Sequence, residues 1–415
     1  MKGLEIGIAG AGPAGLAAAL FLSRAGHRVE LIERFDVAAP VGSGLLLQPT
    51  GLTVLDALGL SPAIHALGNR IDRLHGADAL SGRTVLDVRY DALAGGRYGL
   101  AVQRDALFGT LHEAVLAEGV PLRTGITLDK AETRRARTAL HDPDGEIVGD
   151  YDLVIDASGA RSRLAAASVA APRTRALPWG ALWATLDCED VPHEPHALTQ
   201  RYDAARIMIG VLPAGRASPG ETRKAAFFWS LKTAQADLVR QGDLDGWKAA
   251  IRAYWPATAP FLDQIRDWDQ MTLARYAHRT MARPYADGIA FIGDSAHSTS
   301  PQLGQGANMA LLDAAALAHA LGQAETVERA LEAYAAARRN HVRLFQLLSY
   351  AFTPFYQSDS RSIAWVRDRL VATLACVPPA PRMLAAIVSG TLIDPFAKAG
   401  LAECRWPEDF AARPA

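Results

Sequence analysis

The stretch Leu4-Glu5-Ile6-Gly7-Ile8-Ala9-Gly10-Ala11-Gly12-Pro13-Ala14-Gly15 decides how this chain begins to fold. Leu4 to Ala9 is a short apolar run, Gly10 to Gly15 is a glycine turn, Leu16 to Arg24 reads as helix, and Val29 to Ile32 is a second apolar run ending in Glu33. Each piece answers a need of a bound dinucleotide. Gly10 allows a tight turn out of the strand, Gly12 lets the backbone approach a pyrophosphate, and Gly15 lets helix and strand pack closely. The helix N-terminus then faces the phosphates, with N–H groups and a positive dipole end that favour negative charge. Glu33 follows Gly15 by 18 positions, at a strand tip where a carboxylate accepts from both hydroxyls of an adenosine ribose. A lone GxGxxG carries little weight; the strand, turn, helix, strand and acid around it make the reading strong.

The bulk numbers bound the rest. A chain of 415 residues with 50% hydrophobic content buries one large or two medium cores, so two domains are expected. A net charge of −1 gives no strong overall field to recruit nucleic acid or an anionic membrane. Cys188, Cys376 and Cys404 are far apart, odd in number and without metal spacing. They read as free thiols of a reducing compartment, and no metal site is expected. Ile6 to Leu22 is mostly apolar, but its glycines and its continuation into a second strand argue against a signal peptide, and no apolar run spans a bilayer. A cytoplasmic location is the expectation.

Val41-Gly42-Ser43-Gly44 is a second glycine loop, ahead of a helix from Thr50 to Leu58. Residues 71–98 alternate apolar and polar as short antiparallel strands do. Arg104, before a helix that Asp105 is expected to cap, is within reach of a phosphate or ribose. Arg134, Arg135 and Arg137 read as an exposed strand face. Tyr151 to Asp156 reads as a buried strand running into Ala157-Ser158-Gly159, a small-residue turn of the kind at which ligands dock on a parallel sheet. From Leu177 to Thr280 the chain is rich in aromatics and strand-like, with one helix expected over Ala236 to Ala253. A turn, a buried strand and a Gly-Asp stop then lead through Gly293-Asp294-Ser295-Ala296-His297 to Pro301-Gln302-Leu303-Gly304-Gln305-Gly306-Ala307-Asn308 and a helix to Leu321. Asp294 can accept from sugar-alcohol hydroxyls, and the N–H groups near Gly306 to Asn308 can donate to a ring carbonyl.

These two separated motifs, in this order, resemble the FAD fingerprints of the single-component (group A) flavin monooxygenases, the p-hydroxybenzoate hydroxylase family. The likeness covers residues 1 to about 345. It implies an α/β fold: a Rossmann-type FAD domain from 1–70, 99–175 and 281–345, an inserted, mostly antiparallel substrate domain from 71–98 and 176–280, and a helical C-terminal region, 346–415. It implies tightly bound FAD along Gly10, Gly12, Pro13, Ala14, Gly15, Glu33, Arg34, Ser43, Gly44, Arg104, Ile126, Asp294, Pro301, Gly304, Gln305, Gly306, Ala307 and Asn308. It also implies reduction by NADH or NADPH, reaction with O2 to a flavin C4a-hydroperoxide, and transfer of one oxygen atom to an aromatic, phenol-like or polycyclic molecule.

One departure bears on the reductant: Ser158-Gly159 stands where the family usually shows Asp-Gly, an element linked with nicotinamide use. Pro301 to Gly304 is expected to border the reacting face of the flavin. His297, Tyr202 and Arg206 are candidates for holding or deprotonating a phenol, and no catalytic base is assigned. Rival readings are a flavin-dependent halogenase, a flavin-dependent double-bond reductase and a non-catalytic FAD-holding partner protein. The lack of lysine between Lys2 and Lys130 and the spacing of Trp179 and Trp183 speak against the first. Beyond residue 338, apolar segments at helical spacing are accompanied by arginines. They read either as helices packed on the FAD domain or a homodimer mate, or as an amphipathic surface, within 338–392, for a membrane or a carrier-bound substrate.

Overall fold

The computed structural model describes residues 1–37, 43–167 and 172–406. Val41 and Gly42 of the second glycine loop lie outside the described residues.

A six-stranded sheet in the order Tyr285–Ala286, Ile289–Phe291, Leu153–Asp156, Glu5–Ala9, Arg28–Ile32, Leu122–Arg123 carries the first motif. Glu5–Ala9 pairs in parallel with both Arg28–Ile32 and Leu153–Asp156, with Ile6 opposite Val29 and Leu153. All four residues of Leu153–Asp156 are buried, as expected of a parallel strand covered on both faces. The covers include the helices Pro13–Arg24 and Gly306–Gln323, both rich in alanine, which let the backbones come close.

The aromatic middle of the chain builds a seven-stranded sheet in the order Thr272–Thr280, Arg173–Asp187, Lys224–Lys232, Ile207–Pro213, Ala197–Asp203, Arg73–Asp78, Thr84–Arg89. Residues 73–89 thus join strands more than a hundred positions later. All its pairings are antiparallel except Ala197–Asp203 with Arg73–Asp78. The long helix Val327–Tyr356 leads into shorter turns to Ser389. Among the described residues no helix is long and apolar enough to cross a membrane.

Three local expectations are corrected. The helix expected over 236–253 is two, Ala236–Gln241 and Leu244–Tyr254, because the Asp243 carboxylate accepts from the Asp245 and Gly246 N–H groups and starts a new one. Gln103, not Asp105, occupies the cap position of helix Arg104–Ala117. Arg135 sits in the turn between two strands at φ +50°, while Arg137 pairs with Glu5, Asp150 and Asp152 at 2.8, 2.8 and 3.0 Å.

Candidate active site

A cavity of about 810 Å³ runs from the first glycine turn, past Asp294 and Pro301, to the face of the seven-stranded sheet. Its geometry begins with the glycines. Gly10 holds φ +101°, and a Cβ on Gly15 would stand 2.0 Å from the Gly10 carbonyl oxygen, so both positions require glycine. Gly15 accordingly packs helix on strand and does not line the cavity. Gly12 is different: a Cβ there meets nothing within 4 Å. Gly12 lines the cavity and precedes a helix that no side chain caps, leaving backbone N–H donors for an anion.

The Glu33 carboxylate closes this end. One oxygen accepts from the Ala11 N–H at 2.8 Å and the other from Arg34 N–H at 2.8 Å. The first keeps a lone pair for a further donor, while the second also accepts from the Phe35 N–H at 3.3 Å. Arg34, Ser43, Gly44, Arg104 and Ile126 also line the cavity, with the Ser43 hydroxyl 3.0 Å from Thr185 Oγ1.

At the other end the cavity is bounded by Asp294, Pro301 and the entrance of helix Gly306–Gln323, which is likewise uncapped by any side chain. Desolvation raises the Asp294 carboxyl above its ordinary range against the pull of His297, Arg104 and Arg279. Gly304, Gln305, Gly306 and Ala307 line this end. Asn308 does not. It is fully buried, accepting from Gln48 N–H at 2.8 Å and donating to Leu46 and Gly304 carbonyls at 3.1 and 2.8 Å, so it braces the loop.

Two of the candidate bases lie elsewhere. His297 is committed to Asp313, its Nε2 2.6 Å from Oδ2, and it stays outside the cavity lining. The same carboxylate accepts from Arg338 Nε at 2.7 Å and from the Gly293 N–H at 2.8 Å. Burial alone would raise the Asp313 carboxyl, but the His297 and Arg338 charges overcome it and hold it down to about 2. This cluster clamps the Gly293-Asp294 turn to the helices behind it. Arg206 is exposed, faces Asp359 at 3.8 Å and borders a separate cavity on the other side of the sheet. Tyr202 and Pro301 do line the main cavity. The Tyr202 hydroxyl donates to Gln200 Oε1 at 2.8 Å, and burial pushes it well above the ordinary tyrosine value, so it stays neutral.

The residues missed from sequence are Gln48 and the aromatic wall. Gln48 is buried; it accepts from the Tyr90 hydroxyl at 2.5 Å, and its Nε2 has no hydrogen-bond partner. A Cβ on Gly304 would approach that Nε2 to 3.4 Å. Strand alternation sends Phe228 to the cavity and Phe227 and Trp229 to the opposite core, and it sets Trp183 against Phe228 at 4.5 Å between ring centroids. Trp183 Nε1 donates to the Tyr276 hydroxyl at 3.0 Å.

The residues present fit FAD: an open cradle at Gly12, two uncapped helix entrances, an acid at each end and an orphaned amide donor beside Gly304. Residues 4–346 match the family model described as FAD binding domain. The chain belongs to this family. It resembles the aurachin C monooxygenase/isomerase of Stigmatella aurantiaca at 26% identity, over 90% of this chain and 95% of that protein. It resembles the 6-methylpretetramide 4-monooxygenase of Streptomyces rimosus at 28%, over 93% and 92%. Among solved structures, Klebsiella pneumoniae HpxO complexed with FAD and uric acid shares the fold with a TM-score of 0.79 at 19% identity, over 94% of this chain and 98% of that one. With these relatives the chain is an FAD-dependent aromatic monooxygenase.

The departure at Ser158 also has a physical setting in this monooxygenase. The Ser158 N–H and hydroxyl donate to Asp156 Oδ1 at 3.0 and 2.6 Å, and the Ser162 hydroxyl donates to Oδ2. Asp156 is fully buried, and desolvation raises its carboxyl against those donors. An aspartate at 158 would bring a second carboxylate against it in place of a donor.

A pH dependence follows from His341, which is 3% exposed and sits 2.9 Å from the Gly390 carbonyl through Nε2. Burial and the Arg338 charge lower its value from 6.5 to about 3. Between those pH values the unfolded chain binds a proton that the folded chain refuses, so stability falls as pH drops from 6.5 towards 3. His341→Gln, which retains a donor for Gly390, is expected to flatten the denaturation midpoint across that window; an unchanged slope would reject His341 as its source.

Proposed function

We propose that the monooxygenase inserts oxygen into an uncharged, largely apolar aromatic molecule of phenol, quinolone or polycyclic type, with NADH or NADPH as reductant. The observation that carries this is the wall beyond Pro301, formed by Trp183, Phe228, Met208, Leu198 and Tyr276. Two of its nearby charges are committed. Asp87 is held by Arg73 at 2.6 and 2.9 Å, and Arg367, 4.9 Å from the Tyr202 ring centroid, is 1% exposed and bonded to Asp368, Phe355 and Ala204. A carboxylated ring packed on these five side chains would lose hydration without gaining a cation from them, and the cations that line the cavity are Arg104 and Arg275 nearby and Arg34, Arg161 and Arg163 at the glycine-turn end.

FAD bound here supplies activation of O2 once reduced. The chain's part is to fix and dry the site. The Gly12 and Gly306 entrances orient the cofactor's anionic and carbonyl groups, and the apolar wall excludes water, which otherwise diverts reduced-oxygen chemistry to hydrogen peroxide. Pro301 and Gly304 line the cavity where they would border the space between FAD and the ring.

The test is NAD(P)H-dependent oxygen uptake with neutral phenols and quinolones set against hydroxybenzoates. Coupled product formation is expected with the neutral compounds. Preference for the carboxylates, or turnover without oxygen uptake, would overturn the reading. Tyr202→Phe is expected to leave the pH profile of kcat unmoved, since the hydroxyl stays neutral; a lost acidic limb would make Tyr202 the base.

A further inference from the structure

The outer wall of the cavity is a thin layer of C-terminal helix. Arg361–Val366, a π turn at Arg367–Val371 and Ala372–Leu374 follow one another, and Ala380–Ser389 comes after a proline pair. Ala372, Ala375 and Cys376 line the cavity from this layer. On it Trp365, Leu370, Leu374 and Val377 are 61, 53, 56 and 54% exposed. Their steps of five, four and three residues keep one line, because the wider π turn takes the step of five. Met383, 50% exposed, adds to them from the next helix. Large apolar side chains exposed in a row call for a partner.

Charge selects the partner. Arg361, Arg369 and Arg382 are exposed on the same segment, while its acid, Asp368, is half-buried and bonded to Arg367 at 2.6 Å. A second copy of the chain meeting this face symmetrically would set arginines against arginines. An anionic lipid surface accepts both the apolar row and the arginines around it.

We propose that the face spanning residues 361–383 docks on an anionic bilayer, so that an apolar substrate passes from lipid to the cavity through the layer holding Ala372 and Cys376. The entry route rests on the reading of the cavity under Proposed function; the docking itself does not.

The test is co-sedimentation of the FAD-loaded protein with phosphatidylcholine vesicles, with and without phosphatidylglycerol. Binding is expected to the mixed vesicles, to weaken with salt, and to fall at least roughly a hundredfold in Arg361→Glu/Arg369→Glu/Arg382→Glu, given about 1 kcal/mol for each of the three cations lost near such a surface. Trp365→Ser/Leu370→Ser/Leu374→Ser is expected to release the protein as well. Oxygen uptake with a water-soluble phenol reads the activity separately and is expected to stay unchanged in both variants. Protein that remains in the supernatant with mixed vesicles, variants that sediment like the parent, or a parent dimer that the same substitutions split would each overturn the proposal.

Discussion

Gly12→Asp is expected to give a folded but colourless protein. The side chain has room, since a Cβ at this position meets nothing within 4 Å, and φ is an ordinary −75°. What the aspartate meets is the cofactor. A carboxylate beside a pyrophosphate at roughly 4 Å costs about 4 kcal/mol at an effective dielectric of 20, of which solvent screening leaves about half to three quarters. FAD affinity should then fall roughly a hundredfold, given 1.4 kcal/mol per factor of ten. Flavin-to-protein absorbance ratio and far-UV circular dichroism read the two halves of the statement. Gly15→Ala is the contrast. Its Cβ would lie 2.0 Å from a backbone oxygen, so it disturbs the strand and helix themselves and lowers the yield of folded protein. A yellow Gly12→Asp protein with the parent's flavin content would remove the cradle from the pyrophosphate site.

Asp313→Asn should cost about 3 to 5 kcal/mol of stability, because it strands the buried Arg338 guanidinium beside a neutral amide. Asp313 is fully buried and Arg338 is 3% exposed, so solvent compensates little. The urea midpoint should drop with the slope retained. Asp313→Leu/Arg338→Met removes both charges and should recover a large part of the loss. If the single variant unfolds at the parent's midpoint, the cluster does not clamp the Gly293-Asp294 turn. The sign of the acid dependence is fixed as well. The folded carboxyl is held below its unfolded value of 3.8, at about 2, so its stabilisation is complete above pH 4 and is lost as pH falls from there to 2. The amount is about 2 kcal/mol at 1.36 kcal/mol per pH unit. The window overlaps that of His341 between about pH 3 and 4 and extends below it, so the two losses run together towards the acid end of one unfolding curve.

The two predictions concern two different turns, and they divide along what a sequence displays. Gly10, Gly12, Gly15 and Glu33 were legible because each acts on near neighbours: a tight turn, a close packing and a strand tip within one βαβ unit. Asp294 and Gly304 to Ala307 were legible for the same reason, as a strand end and a helix start. Gln48 was not. Its value lies in an unpartnered amide beside Gly304, reached only when the loop after Leu45–Leu47 folds against a segment about 250 positions later. The commitment of His297 to Asp313 was equally hidden, because 16 residues separate them and only the packing of Gly306–Gln323 beneath the turn brings them together.

The aromatic residues show the limit in another form. Alternation along Lys224–Lys232 reveals that Phe228 and Trp229 face opposite ways, but either side could have been the wet one. The pairing of Ala197–Asp203 with Arg73–Asp78 and the layer from Arg361 to Ser389 set which side encloses a cavity. The amino-acid sequence by itself determined the first turn and the Gly293–Ala307 strand end and helix start on which the proposed dinucleotide site rests, since those are made of local backbone geometry. Only the tertiary structure decided which side chains line the other half of the cavity and which candidate bases face it, because burial and the commitment of charges arise between segments that sequence distance keeps apart.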